Sequence, residues 1–246
     1  LSRLADQPGI TAQWLRRWLD NGSVHESDFW GLLSDGDREA LLAAARPRVF
    51  AAGAVLCTEG EPSTHLFILV SGWVKVITVT RDGQEMLGAL RGAGDVVGEI
   101  AGQVTGYRTA TIRAIGTVHA LLVGAEQFGV FLDTHAGAAH AHRRVMAEQQ
   151  RIAHESQRSH VLASGSQRLA RLLLDLAARH DGAGGNGLTA AIPLSQEEIA
   201  SLIGASRSTV TRALQDWRSR QIIRTDQRHI TILDRARLSR IAGRSS

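Results

Sequence analysis

The chain has 246 residues, 43% of them hydrophobic and 21% charged, and a formal net charge of +4. That is enough chain for two domains with separate cores, and the composition is that of a globular protein, not a disordered or collagenous one. A single cysteine, Cys57, excludes an internal disulfide and a cysteine-ligated zinc or iron–sulfur centre, and no apolar run reaches the length of a membrane-spanning helix.

Residues 1–9 lack the basic start and apolar core of a signal peptide, so a cytoplasmic location is expected. Residues 1–28 read as a partly helical extension. Within it, Trp14, Leu15, Trp18 and Leu19 share one helical face. That face suits packing on the chain's own domain or a membrane surface; packing is favoured, because one short segment is weak support for lipid binding. Residues 28–45 predict further helix, with a turn and cap at residues 34–37. From residue 48 to 123 short β-type runs alternate with glycines. The runs are 55–57, 66–71, 73–79, 85–90, 109–114 and 118–123, with Gly53, Gly60, Gly72, Gly83, Gly94 and Gly116 at the joints. Short, regularly spaced strands predict an antiparallel barrel or roll, with a hairpin at residues 81–83.

Inside this region lies a segment whose residue types suit an anion. Gly98 lets backbone amides approach a ligand closely. The backbone of Glu99, Ile100 and Ala101 and the hydroxyl of Thr109 can cradle an anion, and Arg108 offers a two-pronged charge for phosphate. Glu99 is an acceptor suited to a sugar hydroxyl. Together they describe a site for a phosphorylated sugar inside a β-roll.

Residues 125–162 predict one long helix. Ala138, Ala141, Val145, Ile152, Ser156 and Ser159 approximate a seven-residue spacing, which fits either a parallel two-helix seam or a solitary helix packed on the barrel. His140 and His142 do not share a helical face, so no metal site is expected there. Residues 163–165 suggest a hinge, residues 167–180 a second helix and residues 181–187 a glycine-rich loop.

Residues 194–223 read as two helices joined at Gly204. The first carries Ile199, Ala200, Leu202 and Ile203 on one face, with Ser195 and Glu198 at capping-box spacing. The second starts after Ser206 and buries Val210, Ala213, Leu214 and Trp217. Arg207, Ser208, Thr211 and Arg212 are left outward. This is the layout of a helix-turn-helix, whose second helix enters the major groove of DNA, where arginine can donate twice to guanine. Runs 222–225 and 229–233 predict a hairpin wing. Residues 165–246 hold 13 arginines against 7 carboxylates, whereas residues 1–164 hold 15 basic and 17 acidic residues. A basic module on a mildly acidic one points to a polyanionic partner for the C-terminal third.

The two motifs, GEIA followed by RTAT and then LSQEEIASLIGASRSTVTRAL, resemble the Crp/Fnr (cyclic-AMP receptor protein) family of bacterial transcription regulators. The resemblance covers about residues 29–240. It implies an α+β fold: a jelly-roll-like β-roll that binds a cyclic nucleotide (29–135), a long dimerisation helix (136–163) and a winged helix-turn-helix (164–246). Carried over, Gly98, Glu99, Ile100 and Ala101 line the cassette, Glu99 holding the ribose 2′-hydroxyl, and Arg108 and Thr109 hold the cyclic phosphate of cyclic AMP or cyclic GMP. Gln149 and His154 fall where the long helix meets the ligand. Ala153 and His154 stand in place of the threonine–serine type pair that grips adenine, and Gln149 in place of an arginine near the phosphate. Arg207 and Arg212 read base edges, with Ser208, in place of the common glutamate, and Thr211 beside them. Gln196, Ser206 and Thr209 contact phosphates.

The implied partners are a palindromic DNA operator, a second copy of the chain and RNA polymerase, with no membrane and no metal. A regulator that acts without ligand or senses haem, redox state or another nucleotide is the alternative, with Cys57 either inert core or a thiol sensor. No HExxH, GxSxG or Walker-type motif is present, and no enzymatic activity is expected.

Overall fold

The structure, a computed structural model, describes residues 28–100, 106–180, 188–191, 194–226 and 229–243. The extension before residue 28, with its tryptophan-bearing face, Ala101, and the glycine-rich loop therefore lie outside the described residues. The chain forms two compact units, Leu1–Glu148 and Gln149–Ser246.

The first unit begins with two helices, α1 (Phe29–Leu32) and α2 (Asp35–Ala44). Ser34 caps α2: its Oγ accepts the Asp37 amide at 3.2 Å, and Asp35 and Asp37 place negative charge in the first turn. Six strands follow: β1 (Arg46–Phe50), β2 (Val55–Cys57), β3 (His65–Val79), β4 (Glu85–Arg91), β5 (Val96–Val97) and β6 (Thr111–Gly124). All pairings are antiparallel. The sheet runs β1-β6-β3-β4, with β2 also on β6 and β5 also on β3.

The run 66–70 is buried on both faces of the sheet, and the period of two divides it between two cores. Leu66, Ile68 and Val70 point to a helix-covered layer containing Phe29, Trp30, Leu41, Phe128 and Phe131. Phe67 and Leu69 point into the roll, among Leu56, Val74, Val97, Ile112, Val118 and Ala120. Cys57 belongs to this inner core, and burial pushes its thiol pKa up, which disfavours the reactive thiolate.

Several sequence expectations change here. The runs on either side of Gly72 are one strand, as are those around Gly116. Both glycines have positive φ, +84° and +74°, and make bends inside long strands. A Cβ at Gly72 would collide with the Thr117 carbonyl oxygen. The expected single helix 125–162 is two: α3 (Ala125–Thr134) and α4 (Ala136–Leu162), parted at His135. There Thr134 Oγ1 donates back to the Val130 carbonyl at 2.8 Å, and the His135 ring stacks on Phe131 with centroids 4.6 Å apart. The heptad-like stripe also divides. Ala138, Ala141 and Val145 join the roll's own helix-side core, their small side chains allowing close approach, whereas Ile152 is exposed. His142 is buried between Phe29 and Phe128, and His140 is exposed, so the two do point apart.

The second unit contains the end of α4, then α5 (Gly165–His180), β7 (Leu188–Ala191), α6 (Gln196–Leu202), α7 (Arg207–Ser219), β8 (Ile223–Asp226), β9 (His229–Ile232) and α8 (Arg235–Ile241). Helix α5 buries Leu169, Ala170, Leu173, Leu174, Leu176 and Ala177. It starts two residues before the expected position because Ser164 and Gln167 cap it reciprocally, at 3.2 and 2.8 Å. The expected wing is β8 and β9, and β7, which was not anticipated, adds a third strand in the order β7-β9-β8.

Helix α7 ends in a Schellman motif. The Ile222 amide donates to the Trp217 carbonyl at 2.8 Å, and the Gln221 amide to that of Arg218 at 3.0 Å. This requires Gln221, exposed, to adopt φ +54°. A side chain in that region costs energy that glycine does not. Gln221→Gly is therefore expected to raise unfolding stability by about 0.5–1 kcal/mol. Chemical denaturation of the variant beside the wild type measures it, and an unchanged or lower midpoint would contradict the strain.

Candidate functional site

In the first unit the chain just before β6 is pinned against the loop after β2. The Gly60 amide donates to the Arg108 carbonyl at 2.9 Å, the Arg108 amide to the Glu61 carbonyl at 2.8 Å and the Ser63 amide to the Gly106 carbonyl at 2.8 Å. This fixes the root of the Arg108 side chain, which then turns inward and is only 4% exposed. Its Nη1 donates to the Gly98 carbonyl at 2.9 Å. Gly98 has φ +85°, and a Cβ there would lie 2.5 Å from Nη1, so only glycine fits. The other nitrogen, Nη2, is buried and has no partner among the described residues. An unsatisfied buried donor on a charged group costs at least about 1–3 kcal/mol, and an anion at this point would remove that cost.

Beside it, Glu99 is 5% exposed. Burial pushes its carboxyl up to about 7, against the pull of its own backbone amide and the Arg91 and Arg108 guanidiniums, while the Asp95 charge adds to the rise. Asp95 is itself buried, and its Oδ2 accepts the Gly92 amide at 2.9 Å. His65 is held below its usual pKa by burial and by the Arg108 charge. Thr109 and Ile100 are exposed at the same segment. Sequence reasoning named Gly98, Glu99 and Arg108 but missed Asp95, Arg91 and His65. The only signal for Asp95 was the Gly94 turn beside it, and the other two carried none. The arrangement suits an anionic ligand with hydroxyl groups: a buried cation with a spare donor, a glycine that opens the backbone, and a carboxyl poised near neutrality.

In the second unit, two turns aim α7. Ser195 Oγ accepts the Glu198 amide at 3.1 Å while Glu198 Oε2 accepts the Ser195 amide at 2.8 Å. Helix α6 then closes with Gly204 at φ +58°, the Ala205 amide donating to Ala200 at 2.9 Å and the Gly204 amide to Ser201 at 3.1 Å. Ser206 Oγ accepts the Thr209 amide at 3.2 Å and starts α7. Val210, Ala213, Leu214 and Trp217 are buried, which leaves Arg207, Ser208 and Arg212 exposed. The Arg207 guanidinium makes no bond among the described residues, and Arg212 uses only Nε, to the Ser208 carbonyl at 3.4 Å.

Other expected contacts are engaged within the unit. Thr211 Oγ1 lies 2.6 Å from Gln196 Oε1 and 3.0 Å from the Arg207 carbonyl. The Ser206 hydroxyl lies 2.8 Å from that of Thr209 and 2.9 Å from that of Ser208. Thr209 is half-buried, with its methyl toward Gly165. On α4, Gln149 is half-buried and His154 exposed. Among the described residues no group of three His, Cys, Asp or Glu could hold a metal, and no helix is long and apolar enough to cross a membrane.

The raised Glu99 pKa has a thermodynamic consequence. The folded chain binds this proton more tightly than the unfolded chain, so the group's contribution to stability is full below about pH 4.5 and is lost as pH rises through about 7. Glu99→Gln is neutral throughout. Above pH 7.5 it should be more stable than the unliganded wild type by roughly 3 kcal/mol, and the difference should close toward pH 4.5. Urea unfolding of both proteins across this range measures the gap; a gap that is constant with pH would contradict a carboxyl whose pKa is raised by burial.

The family model of the cyclic nucleotide-binding domain matches residues 47–135, and that of the Crp-like helix-turn-helix domain matches residues 167–241. Each range contains one of the two sites. A CRP-like cAMP-activated global transcriptional regulator of Mycobacterium tuberculosis is 33% identical over 203 residues, which span 82% of this chain and 91% of that protein. Among solved structures, a CRP-family transcriptional regulator of Thermus thermophilus is similar with a TM-score of 0.65 and 26% identity, covering 80% of this chain and 97% of that one. FixK2 from Bradyrhizobium japonicum has a TM-score of 0.72 at 22% identity, covering 82% of this chain and 99% of that one, a likeness of fold. The chain belongs to the Crp/Fnr family of transcriptional regulators, with a cyclic nucleotide-binding domain followed by a Crp-like helix-turn-helix.

Proposed function

We propose that this regulator binds its operator with an affinity set by a cyclic nucleotide, cyclic AMP or cyclic GMP, held by the first unit. The observation that carries this is the buried Arg108 Nη2, which has no partner among the described residues, next to the glycine that leaves room for it. Arg108 and Thr109 take the cyclic phosphate. Glu99 accepts from the ribose 2′-hydroxyl, and the backbone from Gly98 to Ala101 completes the cradle. The cAMP-activated relative supports the same ligand class. Ala153 and His154 stand where a hydroxyl pair would favour adenine, so both cyclic nucleotides are candidates.

On the DNA side, Arg207 and Arg212 read base edges, with guanine O6 and N7 as their best partners, and Ser208 lies between them. Gln196, Ser206 and Thr209 hold phosphates, and Thr211 braces the two helices through Gln196. The working form is a homodimer on a palindromic operator, with half-sites about one helical turn apart, that acts together with RNA polymerase. Nucleotide control requires that the ligand bind one arrangement of the dimer better than the other.

The test is operator affinity with and without each nucleotide, on a DNA site selected from a random pool. One nucleotide should change the affinity by about 5–150-fold. Arg207→Ala and Arg212→Ala should each lower discrimination between operators by about 1–3 kcal/mol. Neutral results at both arginines would contradict the groove contacts. Affinity that ignores both nucleotides would leave a regulator that is ligand-independent or reads another signal.

A further inference from the structure

Arg168 lies in the first turn of α5 and is half-buried. Its guanidinium donates to three backbone carbonyls: Nη1 to Ala163 at 2.6 Å, Nε to Ile203 at 2.6 Å and Nη2 to Gly204 at 2.8 Å. Ala163 directly follows the last residue of α4. Ile203 and Gly204 form the end of α6 and the turn into α7. Carbonyls at a helix C-terminus lack intrahelical donors and carry the negative end of the helix dipole, so a fixed cation suits them. A planar fork holds its donors in fixed, spread directions and so suits carbonyls from two elements at once, whereas an ammonium concentrates its donors on one nitrogen.

Gly165 tightens the same joint. A Cβ built there would lie 2.8 Å from Thr209 Cγ2 and 3.2 Å from Ala205 Cβ. Residues 163–168 are thus fastened to the turn through Arg168 and packed on the first turn of α7 through Gly165. That turn bears Arg207 and Ser208.

We infer that Arg168 is a positioning residue that fastens the end of α4 to the helix-turn-helix, so that a displacement of α4 reaches the arginine-bearing start of α7. A purely stabilising cap would hold the unit together and leave the DNA response unchanged. Arg171 supplies the comparison. It lies on the same helix and makes the same type of bond, Nε to the Ala242 carbonyl at 2.8 Å, but at the end of α8.

The inference rests on the reading that a nucleotide controls operator affinity, so one arm of the test does not depend on it. In the full chain, Arg168→Gln, Arg168→Lys and Arg171→Gln are compared with the wild type. The first arm is amide hydrogen exchange at Gly204 and Ala205 without ligand. Both Arg168 variants should exchange there at least about tenfold faster, because charged hydrogen bonds to the turn are lost, and Arg171→Gln should not. The second arm is the ratio of operator affinities with and without nucleotide. It should fall toward one in both Arg168 variants while non-specific DNA binding at low salt persists, and keep its wild-type value in Arg171→Gln. The lysine variant retains the charge and most of the stem, which guards against simple unfolding. Wild-type exchange or a wild-type ratio in Arg168→Lys, or equal effects from Arg171→Gln, would overturn the assignment. If the wild type itself ignores nucleotide, the proposed function fails and the exchange arm alone decides the fastening.

Discussion

A guanidinium placed inside a protein must be satisfied or it costs stability, and among the described residues Arg108 is satisfied on one side only. The loop after β2 pins its backbone, the positive φ of Gly98 clears space for its head, and the Gly98 carbonyl takes one of its two terminal nitrogens. Glu99 is in the converse condition, a carboxyl withdrawn from water whose burial outweighs the pull of the Arg91 and Arg108 charges. A ligand that brings both an anion and a hydroxyl would relieve the two groups together. Binding free energy would then add to the stability of the folded state.

The second unit depends on a different constraint. The four buried residues of α7 fix which side of that helix faces outward, and two consecutive helix signals fix where it starts. Helix α6 ends at Leu202 and α7 begins at Arg207, so a turn of four residues, with Gly204 at positive φ and Ser206 as the cap, joins them. The arginines face outward because the rest of the helix cannot. Their proposed use on DNA rests on geometry and charge, since phosphate attraction alone would hold any duplex and base-edge contacts are needed to choose one.

Much of this was legible from residue pattern alone. Short β-type runs punctuated by glycines marked most of the strands, and Ser195, Glu198, Gly204 and Ser206 marked the helix-turn-helix to within a residue. What escaped had physical reasons. A glycine that bends a strand, as at Gly72 and Gly116, looks in sequence like one that ends it. A stripe of small residues serves equally for packing on a sheet and for a two-helix seam, so the destination of Ala138, Ala141 and Val145 could not be read from spacing. The break at His135 is accompanied by a threonine hydroxyl folded back on its own helix, and threonine is common inside helices that do not break, so it gives no signal in sequence. The three bonds of Arg168 to Ala163, Ile203 and Gly204 go to main-chain oxygens, which any residue type supplies, so they carry no mark in the sequence.

The central claim is that the partly satisfied guanidinium inside the roll is a receptor for a cyclic phosphate. Calorimetric titration of the full chain with cyclic AMP and with cyclic GMP, for the wild type and for Arg108→Gln, addresses it most directly. The account predicts saturable binding of at least one of the two nucleotides by the wild type, weakened at least about tenfold in a variant that remains folded. Equal affinity in the variant, or no binding of either nucleotide by the wild type, would contradict it.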